Sequence, residues 1–313
     1  MDRSVANFNT RLRTIRIRDL IVGIILAIII TGILMVIFPI LFDDANLTYI
    51  IFVGLILLFF AWALKGTTGL DADLGEVFER NQFREIIYVF AINIIFAFLF
   101  TYLISLLDML LGFGDPTWVS MWDIDSVTVD STTFLLDSII AIIFAPVLEE
   151  LLFRGVLFNR LKIRTGLIPA MLISSFIFGI GHDFGGMTSA FLFGICMCIL
   201  YLKTDNILVP MTVHAINNIV ATFLELTPFD AVTAQFPWII PSLLITIIGT
   251  IYLIKYIINE SSAVKKKFGW KKLKLVESAS TTSFTFFLFD RIILFVLLKS
   301  CWYEILVKFI FIF

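Results

Sequence analysis

Ionisable side chains inside long apolar segments are the first candidates for chemistry, because a charge at the centre of a membrane helix costs about 2.5–3.5 kcal/mol on insertion scales. One such segment carries Glu149, Glu150 and Arg154. Glu150 and Arg154 have the spacing that brings a carboxylate and a guanidinium together on one helix face, whereas Glu149 is rotated by about 100°. Glu149 is therefore expected to stay available as a base. Alternatively, the helix ends at Leu148 and both glutamates are interfacial charges paired with Arg154.

The two histidines of the chain, His182 and His214, also fall inside or at the rim of apolar segments. A membrane histidine commonly serves as a hydrogen bonder in helix packing, but two of them beside a buried glutamate pair favour a functional site. His214 shares a helix face with Asn218, and His182 follows Gly179 and Gly181, which allow close approach of a helix or a substrate backbone. Together these groups offer a base for water, a partner that shares the proton, and donors for an oxyanion.

Composition sets the solvent in which these side chains must work. Of 313 residues, 60% are hydrophobic and 15% are charged, with a mean hydropathy of +1.02. Lipid is therefore expected to be the main solvent. The net charge of −2 and its distribution argue against a nucleic-acid partner. The three cysteines form no CxxC motif, so no disulfide framework or thiolate metal site is implied.

Apolar blocks of about 18 or more residues, each long enough to cross a hydrocarbon core of about 30 Å, predict an all-α polytopic membrane helical bundle of about eight transmembrane helices. Lysine and arginine concentrate in alternate loops, which predicts a multi-pass cell-membrane protein whose N-terminus and basic segment after the eighth helix are cytoplasmic. The predicted spans are 20–41, 47–64, 86–111, 133–160, 167–182, 188–202, 207–224 and 238–258.

The domain organisation follows from the same pattern. We expect one multi-spanning membrane domain over 1–275, with the chemistry concentrated in a core at about 134–225. The segment 276–313 is an apolar C-terminal tail whose charges favour an interfacial or re-entrant hairpin over a ninth span. An arginine-rich start precedes an apolar run of about 22 residues, which is typical of a retained first anchor rather than a signal peptide.

Three short motifs occur in order along this core: Glu-Glu-x-x-x-Arg at 149–154, Phe-x-x-x-His at 178–182 and His-x-x-x-Asn at 214–218. Together they resemble the CAAX-protease and bacteriocin-processing (CPBP, or Abi) family of intramembrane peptidases, over about 138–225. The resemblance implies a membrane-associated peptide or lipoprotein as the substrate, cleaved by a CAAX prenyl protease-like endopeptidase.

The resemblance also implies roles for the motif residues. Glu149 activates water with help from His182, while His214 and Asn218 stabilise the tetrahedral oxyanion. Glu150 and Arg154 are then structural or supporting.

The sequence leaves the metal requirement open. The family has been described both as metallopeptidases and as metal-independent, glutamate-dependent peptidases. If one divalent metal such as zinc is present, Glu149, His182 and His214 are the candidate ligands, since a catalytic zinc usually has three protein ligands. The chain has no His-Glu-x-x-His helix, and Asn218 suits an oxyanion donor better than a zinc ligand, so we favour no required cofactor.

Two other functions fit the same residues. The first is a non-catalytic membrane protein that gives bacteriocin self-immunity by binding a membrane-active peptide. The second is a proton-coupled transporter, since buried glutamate and histidine also form proton relays.

The predicted helix limits create one geometric conflict. Counting residues puts His182 near the outer end of its helix and His214 near the cytoplasmic end of its own, about 20 Å apart in depth at 1.5 Å per residue. The two imidazoles can share one site only if the fifth and sixth helices are short and tilted, with their connecting turn sunk in the protein, or if these limits are wrong.

Overall fold

The computed structural model describes residues 1–111, 131–182, 186–227, 229–233 and 235–269. Within these ranges the regular structure is helical, apart from one isolated bridge between Asn7 and Thr68. The all-α prediction is therefore confirmed, while residues 112–130 of the predicted outer loop and the tail 276–313 lie outside the described residues. In chain order the helices are α1 (Phe8–Leu12), α2 (Ile17–Ile37), α3 (Ile40–Asp43), α4 (Ala45–Leu64), α5 (Leu70–Val77), α6 (Arg80–Ala97), α7 (Leu99–Leu111), the composite α8 (131–165), α9 (Leu167–Ile180), α10 (Met187–Thr204), α11 (Leu208–Glu225), α12 (Phe229–Thr233) and α13 (Ile239–Gly269).

Four of the described helices are long and apolar enough to cross a bilayer, namely α2, α4, α10 and the part Ile239–Lys267 of α13. The helix α9 and most of α11 are also apolar but shorter. The predicted third span is two helices, α6 and α7, because the chain bends at Phe98, whose ring packs against Tyr102 and Phe229. These helices together form the expected membrane bundle.

The helix α10 lies at the centre of this bundle. Of its apolar span 61% is buried, against 22% for α2, 33% for α4 and 28% for α13, whose other faces are left for lipid. Helices α9 and α10 pack closely at small residues. A Cβ atom at Gly179 would lie 2.9 Å from the carbonyl oxygen of Met187, and one at Gly194 would lie 3.0 Å from Cβ of Ser175. Small residues thus set the spacing of this helix pair.

The helix α8 carries the glutamate pair and alternates between two helical forms. Its α-helical segments are Ser131–Ile139, Ala145–Glu150 and Asn159–Thr165, separated by the π-helical segments Ile140–Phe144 and Leu151–Phe158. The junction residues keep right-handed helical angles, so the helix runs on without a break. The alternative in which this helix ends at Leu148 is therefore wrong.

The segment before α2 ties the end of α8 to α10. Arg160 on α8 donates a hydrogen bond from Nε to the carbonyl of Ile15, at 2.6 Å. The hydroxyl of Tyr201 on α10 accepts hydrogen bonds from Arg13, at 3.0 Å, and from Asn159 on α8, at 3.2 Å. These contacts hold the two site-bearing helices together at one end of the bundle.

The length of α9 removes the conflict over the depth of the histidines. With 14 residues it rises about 21 Å, less than a hydrocarbon core of about 30 Å. The ring of Phe178 lies 4.7 Å from that of His182 and 5.9 Å from that of His214. The imidazole centroids are thus at most about 10.6 Å apart, the sum of these distances. The estimate of about 20 Å is wrong because it took α9 as a complete span.

We predict that Gly179→Ala destabilises the protein by about 1–3 kcal/mol, since the new methyl group would overlap the Met187 carbonyl and force α9 away from α10. The midpoint of thermal unfolding in detergent micelles measures this. Gly54→Ala on α4 is the matched control, because nothing lies within 4 Å of a Cβ atom there. Equal midpoints for the two variants would contradict the close packing.

Candidate active site

The glutamate pair stands at the last two positions of the segment Ala145–Glu150, directly before the second π-helical segment of α8. Glu150 and Arg154 are both fully buried, whereas the side chain of Glu149 retains 21% exposure. The rotation expected from the helix period thus gives the two glutamates different environments. Glu150 faces the protein interior and Glu149 faces accessible space.

Glu150 joins α8 to α11 through a single oxygen. Its Oε1 accepts a hydrogen bond from Nη1 of Arg154, at 2.8 Å, and lies 3.0 Å from Nδ1 of His214. This oxygen already accepts a hydrogen bond from Arg154, and in the same acceptor role it pairs with Nδ1 of His214 as the donor. The contact therefore fixes both the orientation and the tautomer of the imidazole, as in other histidines held by a carboxylate.

The other nitrogen of His214 faces Glu149. Its Nε2 lies 3.9 Å from Oε2 of Glu149, and the histidine side chain is 5% exposed. This distance is too long for a direct hydrogen bond but suits two groups that share one water molecule. The imidazole of His214 thus lies between the carboxylates of Glu149 and Glu150, and of these two only Glu149 is accessible.

The ring of Phe178 contacts both imidazoles and the guanidinium of Arg154. Besides meeting both imidazoles, its ring lies 4.4 Å from the guanidinium carbon of Arg154, a cation–π contact that helps to hold a buried charge. Phe193 on α10 meets His214 edge to face, with the ring centroids 5.2 Å apart. The motif at 178–182 contains Phe178, but sequence reasoning gave that residue no role in the site. Its position in a motif that also holds His182 was the available signal.

The structure places His182 just beyond the end of α9. Its Nδ1 lies 2.9 Å from the carbonyl oxygen of Phe178, one turn back, so the ring is folded against the helix end. Through Phe178 it belongs to the same cluster as His214. The predicted site residues Glu149, His182 and His214 therefore lie in one region, although they come from three different helices.

Asn218 supplies a hydrogen bond that the backbone of α8 lacks. In the first π-helical segment the N–H of Ala145 bonds to the carbonyl of Ile140, five residues back. The same step would assign the next N–H to the carbonyl of Ala141, but the next residue is Pro146, which has none. The side chain of Asn218 donates to that carbonyl at 2.7 Å. One amide hydrogen is thereby used, and the second remains for other partners.

A further asparagine serves the second π-helical segment in the same way. Asn159, which is buried, donates from Nδ2 towards the carbonyls of Arg154, at 2.9 Å, and Gly155, at 3.0 Å.

Tyr49 on α4 is another residue that the sequence did not indicate, and it lies near enough to Glu149 for electrostatic interaction. A tyrosine near a helix start looks like an ordinary interfacial aromatic residue, so no sequence signal marked it.

The donor set does not fit a resident zinc ion. Within the parts of the chain that the structure describes, no group of three or more histidine, cysteine, aspartate or glutamate side chains is arranged to hold a metal. A catalytic zinc takes three protein ligands, and the trio Glu149, His182 and His214 is not assembled as such a group among the described residues. The bond from Nδ1 of His214 to Glu150 leaves Nε2 facing Glu149.

Comparison with known proteins points to the same part of the chain. Residues 131–220 match the family described as "Type II CAAX prenyl endopeptidase Rce1-like". A Bacillus subtilis (strain 168) protein named "Putative membrane peptidase YdiL" is 36% identical over 91 residues, which are 29% of this chain and 37% of that protein. The match thus covers well under two thirds of the relative. No solved structure shows significant similarity to the chain.

The family match falls on the segment in which α8, α9, α10 and α11 come together. Residues 131–220, which include Glu149, His182, His214 and Asn218, are therefore similar to the Rce1-like CAAX prenyl endopeptidases, which supports the resemblance to the CAAX-protease and bacteriocin-processing family.

Proposed function

We propose that this protein is an intramembrane endopeptidase that hydrolyses a peptide bond of a membrane-associated peptide or lipoprotein, with water activated at Glu149. The observation that supports it best is the pair formed by Glu149 and His214. A partly exposed carboxylate lies 3.9 Å from an imidazole nitrogen, and the opposite nitrogen is held by a buried carboxylate. A carboxylate that accepts a proton from water, with an oriented histidine beside it, is a common arrangement for hydrolysis.

The reaction begins with a water molecule between Glu149 and Nε2 of His214. Its oxygen attacks the carbonyl carbon of the scissile bond while Glu149 accepts a proton from it, which forms a tetrahedral intermediate with a negatively charged oxygen. The carbon–nitrogen bond then breaks, and the departing nitrogen takes up the proton from Glu149. The products are a carboxylic acid and an amine, and the enzyme returns to its starting state.

The remaining polar groups would stabilise the charge on the oxyanion. Donors that are already in place cost no reorganisation when the charge develops, and each contributes about 10²–10³ in rate. The second amide hydrogen of Asn218 is the proposed donor, and the imidazoles of His182 and His214 would donate from Nε2 only as imidazolium cations, because their Nδ1 hydrogens bond to the carbonyl of Phe178 and to Glu150. The cluster of Phe178, Phe193 and the two imidazoles keeps these rings in fixed positions.

We predict that Glu149→Gln lowers the peptidase activity at least about 100-fold, because glutamine keeps the shape of the side chain but cannot accept the proton. The readout is quantitative peptidomics of membranes from cells that produce the wild type or the variant, with and without a chelator. Peptides released by the wild type should disappear in the variant and persist with the chelator.

The matched control is Glu79→Gln, which removes an exposed carboxylate at the start of α6. This variant should release the same peptides as the wild type. If Glu149→Gln also releases them unchanged, the proposed base is wrong, and a peptide-binding or transport function would then have to be tested by binding and flux in proteoliposomes.

Single and double substitutions separate the structural and chemical roles of Glu150. Arg154→Met leaves a fully buried carboxylate without its guanidinium, so the free energy of unfolding should fall by about 3–5 kcal/mol. Adding Glu150→Gln removes the uncompensated charge and should restore most of the stability. Activity should stay at least about tenfold below the wild type, because a glutamine amide can also donate and no longer enforces the tautomer of His214.

Thermal unfolding in micelles and the peptide-release assay measure the two quantities on the same preparations. Recovery of both stability and activity in the double variant would show that Glu150 only balances the charge of Arg154.

We predict two separable effects of removing the amide of Asn218. In Asn218→Ala the carbonyl of Ala141 loses its donor, which should cost about 1–3 kcal/mol of stability. Pro146→Ala in the same chain supplies the missing backbone N–H and should restore that stability. Peptide release should nevertheless stay about 10²–10³-fold reduced, since an oxyanion donor is still absent. If activity returns together with the unfolding midpoint, Asn218 acts through the backbone alone.

A further inference from the structure

Two cavities adjoin between α6 and α13, on helices other than the one that carries the glutamate pair. One has a volume of about 370 Å³ and a polar lining that includes Arg84, Glu85, Lys203, Tyr256 and Glu260. The other has a volume of about 350 Å³ and an apolar lining that includes Ile92, Ile95, Ile245, Ile248 and Gly249. Tyr88 lines both cavities, so they adjoin at this side chain, and together they form a groove with a polar end and an apolar end.

The groove has the depth of one membrane leaflet. From the polar end to the apolar end, its lining residues run along α6 from Arg84 to Ile95 and along α13 from Glu260 to Ile245. The two helices are therefore antiparallel along the groove. The 11 steps from Arg84 to Ile95 rise about 16 Å, and half of a hydrocarbon core of about 30 Å is about 15 Å. The polar end lies where α6 begins, beside the last turn of α10, which is the expected level of lipid head groups.

The apolar end is open to the bilayer. Ile248 is 54% exposed and Tyr252 is 52% exposed, so these walls face the surrounding lipid. Gly249 forms part of the floor, where a Cβ atom would lie 2.4 Å from Cγ2 of Ile95. The missing side chain lets α6 and α13 approach closely below the groove, which leaves a channel between their outer side chains. Its shape fits a flexible hydrocarbon chain.

The charges at the polar end balance only when Arg84 is counted. The ammonium group of Lys203 bonds to the carboxylates of both Glu85 and Glu260, and the hydroxyl of Tyr256 donates to Glu85 at 2.9 Å. This network alone therefore carries one excess negative charge. Arg84 supplies the balancing positive charge at the rim, and among the described residues no carboxylate pairs with its guanidinium.

We propose that this groove binds a glycerophospholipid with a phosphoethanolamine head group. One acyl chain lies along the apolar end, the phosphate contacts the guanidinium of Arg84, and the primary ammonium contacts Glu260. A zwitterionic head group matches a pocket that has two cations and two carboxylates, whereas a purely anionic one would face the glutamates without compensation. A primary ammonium donates hydrogen bonds from its N–H groups to a carboxylate. A trimethylated ammonium has no N–H group and cannot do so.

The test uses the delipidated full-length protein in detergent micelles, titrated with phosphatidylethanolamine, phosphatidylcholine or phosphatidylglycerol and analysed by native mass spectrometry. We expect phosphatidylethanolamine to bind most tightly. Arg84→Gln should weaken its binding about tenfold, as the loss of one charge-assisted hydrogen bond implies. The control Arg80→Gln removes an exposed arginine of the same helix that does not line the groove, and it should leave binding unchanged.

A second variant pair tests the apolar end. Ile248→Trp fills the groove and should weaken all three lipids, whereas Ile247→Trp places the same bulk on the neighbouring position outside the groove and should not. Equal affinity of the wild type and Arg84→Gln for phosphatidylethanolamine would overturn the proposal. So would tighter binding of either other lipid by the wild type, or equal effects of the two tryptophan variants. None of these outcomes depends on the peptidase reaction.

Discussion

The buried carboxylate of Glu150 constrains the site more than any other group in this protein. A charge without exposed surface in a membrane bundle must be paired and hydrogen-bonded, because the low dielectric makes an uncompensated charge very costly. Arg154 supplies the charge from the same helix, and His214 supplies a second donor from α11. The helix α8 must therefore continue through this region, and α11 must lie against it. The position of the imidazole beside Glu149 is a consequence of that requirement.

The backbone of α8 presents a second requirement that side chains meet. Its two π-helical segments flank the glutamate pair, and such segments leave carbonyls that the regular helix pattern would have satisfied. Lipid chains cannot form hydrogen bonds with them. Asn218 and Asn159 donate to these carbonyls from α11 and from α8 itself. The irregular helix is thus stabilised by amides, one of which lies a single turn from His214.

The bundle brings these groups together by keeping one hairpin short and tightly packed. The helix α9 does not span the full hydrocarbon core, so His182 at its end stays near the centre of the protein. Close contact of α9 with α10 at Gly179 and Gly194 then brings Phe178 and Phe193 to the histidines. Aromatic rings around the polar groups exclude lipid and limit their motion. The accessible side of Glu149 is left as the approach for a substrate.

The sequence by itself determined the membrane bundle, most helix limits and the Glu150–Arg154 pair, because hydrophobic length and the helical period are local properties. It also indicated four polar residues that the fold brings into one region. Only the tertiary structure decided that His214 meets Glu150, 64 residues away, and that Asn218 meets Ala141, 77 residues away. These contacts depend on how far each helix reaches and how closely helices pack. The short α9 and the close contact of Gly179 and Gly194 between α9 and α10 set both. Periodicity gives the face of a residue, but not the partner that this face will meet.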